Sequence, residues 1–211
     1  MRTSAMLPAN CFKCAAVRAI WVTRLLLAAS VGACAAAGPV TLARAQAPGS
    51  VGPSFELTDH NGRPFSSAAL AGQPYAVFFG FTHCPDVCPT TLLEMSNALQ
   101  RLGADADRLK VVFVTVDPER DTPEQLQQYL DSFDPRIIGL TGSQQQIAAA
   151  AKGWNAFHNK IPEGDGSYTV VHSAYVYLMD RNNRLTGTMG FQETEDEQVA
   201  KLKALIEGSG Q

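Results

Sequence analysis

"PYAVFFGFTHCPDVCPTTLLEMSNALQRL", residues 74–102, holds the pattern that decides the fold. Its opening, "PYAVFFGF", is a continuous apolar run with little alternation, as expected of a central strand covered on both faces. Its close, "TTLLEMSNALQRL", repeats apolar residues at helical spacing through Leu92, Met95, Leu99 and Leu102. Between strand and helix stand Cys84 and Cys88, four apart and each followed by proline. Ligands gather outside the carboxyl ends of parallel strands, which is where this junction falls. Whether the helix begins at Pro85 or at Pro89, the sulfurs lie near unpaired backbone N–H groups that favour a thiolate.

Working outward, "KVVFVTVD" (110–117) reads as a second buried strand. "TPEQLQQYLDSF" (122–133) opens a second helix, with Thr122 as N-cap, Pro123 in its first position and Gln125 completing a capping box. Upstream, "FELTD" and "RPFSS" flank "HNG", a hairpin pattern. Residues 134–167 read as an insert, with a short strand "IIGLT", a helix from Ser143 to about Gly153 and the polar turn "PEGDGS". After it come "TVVHSAYVYLMD", the turn "RNN", "RLTGTMGF" and a closing helix from about Thr194 to Ile206. This order predicts an α/β, thioredoxin-like fold: a central mixed sheet flanked by helices, an N-terminal hairpin and an insert before the penultimate strand. At 211 residues and 45% hydrophobic content, one such domain, residues 54–207, is expected after a linker at 46–53.

Residues 1–45 differ in character. They carry Arg2, Lys13, Arg18, Arg24 and Arg44 and no acidic residue, which leaves all twenty carboxylates in the remainder against twelve Lys and Arg. A strongly acidic remainder argues against nucleic-acid binding. Basic residues followed by "LLLAASVGACAAAGPVTLA" and "ARAQA" form an export signal, cleaved after Ala45 or Ala47. The uncharged run is also about long enough to remain as a membrane anchor. "VGAC" forms a loose lipoprotein box that would lipidate Cys34. Each reading exports the globular part, to the periplasm or to the inner membrane facing it. Cys11 and Cys14 fall in the leader and are read as incidental. Cys84 and Cys88 are then the only thiols of the folded part, and a lone pair in an oxidising compartment is a structural disulfide, a redox dithiol or a metal site.

Topology supplies a third group. The strand in "SAYVYLM" is expected to run antiparallel to "PYAVFFGF", so its start lies beside the end that carries the cysteines. His172 immediately precedes that start, at the place where thioredoxins carry a cis-proline, and no proline occurs from Gly164 to Gln211. Two thiolates and one imidazole suit Cu(I), and a fourth donor would adapt the set to Cu(II). Structural zinc would want four closed ligands, and iron–sulfur clusters normally four cysteines.

"CPDVCP", "VDPERDTPEQL", "GLTGS" and "YTVVHS" together resemble the SCO/SenC family, copper-binding thioredoxin-like proteins of cytochrome c oxidase assembly, over about residues 50–207. The resemblance places the family's metal ligands on Cys84, Cys88 and His172. It implies a membrane-associated metallochaperone that helps build the CuA centre of oxidase subunit II, served by a copper donor and a thiol reductant. Many members carry an acidic residue just before the histidine, where this chain has Val171.

The competing function is a thiol–disulfide oxidoreductase that keeps the copper-binding cysteines of the oxidase subunit reduced, chemistry for which Cys84 and Cys88 suffice. Peroxide reduction lacks its motif, because Phe81 and Pro85 stand three before the two cysteines. Among other polar residues, His83 is expected to point away from the thiols. Asp86 could tune the pair or complement a helix dipole. Asp117 is the best spare carboxylate, or an anchor of the "DPERDTP" turn. His60 and His158 default to the surface, and Met95, Met179 and Met189 are spaced as core residues.

Overall fold

The computed structural model describes residues 51–190 and 192–208. The expected leader, with Cys34, and most of the 46–53 linker lie outside the described residues. Among the described residues no helix is long and apolar enough to cross a membrane.

The apolar run becomes β3 (Tyr75–Gly80), every residue of which is buried, and "KVVFVTVD" becomes β4 (Lys110–Thr115). They pair in parallel, from Tyr75 opposite Lys110 to Gly80 opposite Thr115. Side chains alternate across β3 and reach two separate packing layers. On one face Phe79 meets Trp154 and Tyr177, with ring centroids 6.3 and 6.2 Å away. On the other Phe78 meets Phe113 at 5.7 Å. Each such side chain contributes about 1.5–3 kcal/mol by leaving water, so this strand pair anchors the domain.

Around it runs a seven-stranded mixed sheet. The expected hairpin is β1 (Glu56–Asp59) with β2 (Pro64–Ser66), and β5 (Ile137–Thr141), β8 (Tyr175–Met179) and β9 (Leu185–Gly190) complete the order β2-β1-β5-β4-β3-β8-β9. Gly62, with φ +77, closes the β1–β2 turn, while Asp59 Oδ1 accepts the backbone N–H groups of Asn61 and Arg63. β8 runs antiparallel to β3, Phe78 opposite Val176, as its place in the sequence predicts.

The helices are α1 (Val87–Leu102), α2 (Pro123–Leu130), α3 (Gln144–Gly153) and α4 (Glu195–Glu207). Thr122 caps α2 through the Gln125 N–H, but the expected capping box is only half formed there; reciprocal boxes stand instead at Ser143 and Thr194, which the sequence marked as helix starts without that signature.

One boundary differs from expectation. "IIGLT" belongs to the central sheet, parallel to β4 with Val111 opposite Ile137. The true insert is a separate two-stranded sheet, β6 (His158–Pro162) and β7 (Tyr168–His172), which takes up "YTVVH". β6 escaped notice because its inward residues, His158 and Lys160, are polar, so the strand has no apolar stripe.

Candidate metal centre

β3 delivers the chain to the site. Beyond Gly80 the backbone bends through Thr82, where a fully buried carboxylate holds it: Asp121 accepts the Thr82 N–H at 3.0 Å, the Thr82 hydroxyl at 2.7 Å and the Thr115 hydroxyl at 2.6 Å. Cys84 follows, its N–H donating to the Phe81 carbonyl. α1 starts at Val87, between the two prolines considered, so Cys88 sits in its first turn.

Asp86 occupies the N-cap position of α1 but makes no side-chain capping bond. Cys84 Sγ takes the role instead and accepts the Cys88 N–H at 3.4 Å. Cys88 is fully buried, and Gly80 gives it room: a β-carbon on residue 80 would come within 2.8 Å of Cys88 Sγ and 2.7 Å of the Phe113 ring.

The third donor arrives on the hairpin. In register, His158 faces His172, Lys160 faces Val170 and Pro162 faces Tyr168, so Val170 and His172 share one face of β7. Val170 is buried by that face, while Phe157, Ile161 and Val171 are exposed. The His172 ring stands edge-on against Phe81, 5.7 Å between centroids, and 6.1 Å from Phe78. Its Nδ1 donates to the Ser173 carbonyl at 3.0 Å, and its Nε2 lies 3.3 Å from Cys88 Sγ. The sulfurs of Cys84 and Cys88 and a His172 ring nitrogen all lie within 4.8 Å of one another.

Both cysteines are free thiols, and their environments pull them apart. A hydrogen bond from the Cys88 thiol holds the Cys84 pKa well below the ordinary thiol range. Burial opposes this, while His172 and the N–H groups of Asp86 and Cys88 add to the lowering. Cys88 is pushed up by that same bond to Cys84, by burial and by the nearby negative charges of Cys84 and Asp121. These opposed directions favour ionisation at Cys84, the more exposed of the two, over Cys88.

Cys84, Cys88 and His172 thus come together as the sequence suggested. His83 stays outside the cluster, exposed, with its ring nitrogen 3.0 Å from the Thr82 hydroxyl. Asp86 is exposed at the surface. Asp117 is no donor to this site: it is fully buried, bonded to Arg120 and to the Tyr168 hydroxyl. His60 is not a free surface group, since its Nδ1 accepts the Gly139 N–H at 3.0 Å. His158, half-buried on the inner face of the hairpin, has its pKa lowered by burial. Met95, Met179 and Met189 lie in the core as expected. Asp121 was missed altogether. Its only sequence signal was an acidic residue closing "VDPERD", while its purchase on Thr82 spans 39 positions.

A family model described as SCO1/SenC matches residues 43–207. A copper-bound structure of Bradyrhizobium japonicum ScoI is 44% identical, with a TM-score of 0.70, and the alignment covers 74% of this chain and 99% of that one. Copper-bound yeast Sco1 is 33% identical, with a TM-score of 0.69, over 75% and 89% of the two chains. An SCO2-like protein of Rickettsia prowazekii is 40% identical over 136 residues, 64% of this chain and 66% of its own length. The match therefore spans just under two thirds of that curated relative.

Proposed function

The chain belongs to the SCO1/SenC family, and from that premise we propose that it is a copper carrier, which binds copper through Cys84, Cys88 and His172 and delivers it to the CuA centre of cytochrome c oxidase during assembly. The observation that carries this reading is the convergence of two sulfurs and one imidazole nitrogen within 4.8 Å. That donor set fits copper: soft thiolates select Cu(I), imidazole also accepts Cu(II), and three donors fall short of a closed structural zinc site. The solved relatives at 44% and 33% identity hold copper.

Copper is cargo, so it must leave as well as bind. Cys84 is the half-exposed sulfur and the point at which an incoming thiolate of subunit II exchanges first. Beside His172 opens a cavity of about 580 Å³, lined also by Tyr175, Thr188 and Glu193, with room for a partner segment. A copper donor loads the site. A thiol reductant keeps it open, because disulfide sulfurs are poor ligands beside thiolates. The basic, then apolar, leader supports export, with the domain in the periplasm or anchored to the inner membrane.

A second reading has its own support. The opposed shifts of Cys84 and Cys88 give one attacking and one resolving sulfur, as a thiol–disulfide oxidoreductase acting on the oxidase subunit's cysteines requires. His172 separates the two. Copper content and visible absorption of the reduced protein after loading should show one copper per chain, and Cys84→Ser with Cys88→Ser should abolish it. His172→Ala should weaken copper binding while leaving disulfide exchange within a small factor of the parent. If that variant loses copper yet still supports oxidase assembly in cells lacking the parent gene, the carrier reading fails and the reductase replaces it.

A further inference from the structure

Apart from its chain connections, the β6–β7 hairpin makes no strand pairing with the seven-stranded sheet among the described residues. A two-stranded hairpin is marginal by itself, so whatever grips its inner face decides where His172 stands. Next to His172 that grip is Val170 in the core, and at the hairpin base the Ser173 N–H donates to the Phe157 carbonyl at 2.9 Å. The far end is held differently, by charge.

The loop after β4 supplies Asp117, Glu119 and Arg120, and the hairpin supplies Lys160 and Tyr168. Asp117 Oδ1 accepts the Tyr168 hydroxyl at 2.9 Å and its Oδ2 pairs with Arg120 Nε, while Lys160 Nζ lies 3.6 Å from Oδ1 and 2.5 Å from Glu119. Arg120 Nη1 donates to the Tyr168 carbonyl at 3.1 Å. The guanidinium carbon stands 4.0 Å from the centre of the Tyr168 ring and 5.8 Å from that of Phe81. Phe81 is the ring against which His172 stands edge-on. A planar fork can bond Asp117, bond a carbonyl of β7 and present its face to an aromatic ring at once, which an ammonium cannot.

We infer that Arg120 is a positioning residue of the metal centre: clamped by Asp117, it fastens β7 to the loop after β4 at Tyr168 and, through Phe81, sets the wall against which His172 stands. The inference rests on the copper-site reading. Donors must be held to within about 0.5 Å to be effective, and the latch lies only four strand residues, about 13 Å, from His172.

Two variants test it on the full-length chain. Arg120→Lys keeps a cation beside Asp117 and loses the fork, while Tyr168→Phe keeps the ring and loses the hydroxyl. In the reduced, metal-free protein, Arg120→Lys should speed hydrogen exchange of the β6 and β7 amides about tenfold and leave β3 and β4 unchanged. Tyr168→Phe should act in the same direction and by less. After copper loading, Arg120→Lys should weaken Cu(II) binding about tenfold and move the absorption spectrum toward that of His172→Ala. Added to His172→Ala, it should cost no further affinity, because the latch acts through that ring. Unchanged hairpin exchange, or parental copper affinity and spectrum in Arg120→Lys, overturns the assignment. Equal loss of affinity with and without His172 also overturns it, since that marks general destabilisation. If the parent protein binds no copper, the carrier reading fails, and hydrogen exchange alone decides whether Arg120 holds the hairpin.

Discussion

The two cysteines and the histidine reach the same point from regions built in opposite ways. The sulfurs stand where a fully buried strand enters a helix, in the interior of a seven-stranded sheet. The imidazole stands at the end of a two-stranded hairpin with one exposed face, held by one buried valine and a cluster of charges. Damage at the junction should therefore cost the fold and the site together, whereas damage at the hairpin should cost the site alone.

Substitutions ranked by their cost in stability put that contrast at risk. Phe79→Ala, which removes one ring of a three-ring cluster with Trp154 and Tyr177, should destabilise the domain by about 3–5 kcal/mol, measured by denaturant unfolding. Gly80→Ala should cost about 1–3 kcal/mol and shift Cys88 from its place, because the new methyl would fall 2.8 Å from the sulfur. Unfolding together with copper titration reads both effects, and parental values in both would show that Phe113 and Cys88 give way freely. Val170→Ala, in the hairpin, should cost about 1 kcal/mol by lost burial and should weaken copper binding. His172→Ala should change stability by less than about 0.5 kcal/mol, since the ring is half-exposed and the core beneath it is complete, yet it should alter the Cu(II) spectrum. A large fall in melting temperature for His172→Ala would erase the distinction between the two regions.

The same contrast governs what could be read in advance. β3, β4 and α1 announce themselves because burial on both faces demands an unbroken apolar run, and burial on one demands helical spacing, both visible in any window of the chain. The Cys84 and Cys88 pair was legible for the same reason, as the punctuation between two strong patterns. His172 followed once β8 had been placed antiparallel to β3, a step of topology. Below that level the sequence was mute. β6 turns His158 and Lys160 inward to polar neighbours, so it resembles a loop, and β5 was misassigned to the insert because five residues carry too little pattern to name their partner. Asp121 and Arg120 act on Thr82 and Tyr168, 39 and 48 positions away, and no local regularity records such contacts.

Cys88 and His172 touch across 84 positions of chain. A polypeptide made from its N-terminus displays both sulfurs as soon as α1 exists, but the third donor arrives only after β4, β5 and the hairpin have been laid down. A chain halted before Tyr168 offers two sulfurs and no imidazole. A metal that required the complete set would thus certify finished folding, since it would be held only by molecules whose late-made hairpin has found its place beside the strand–helix junction.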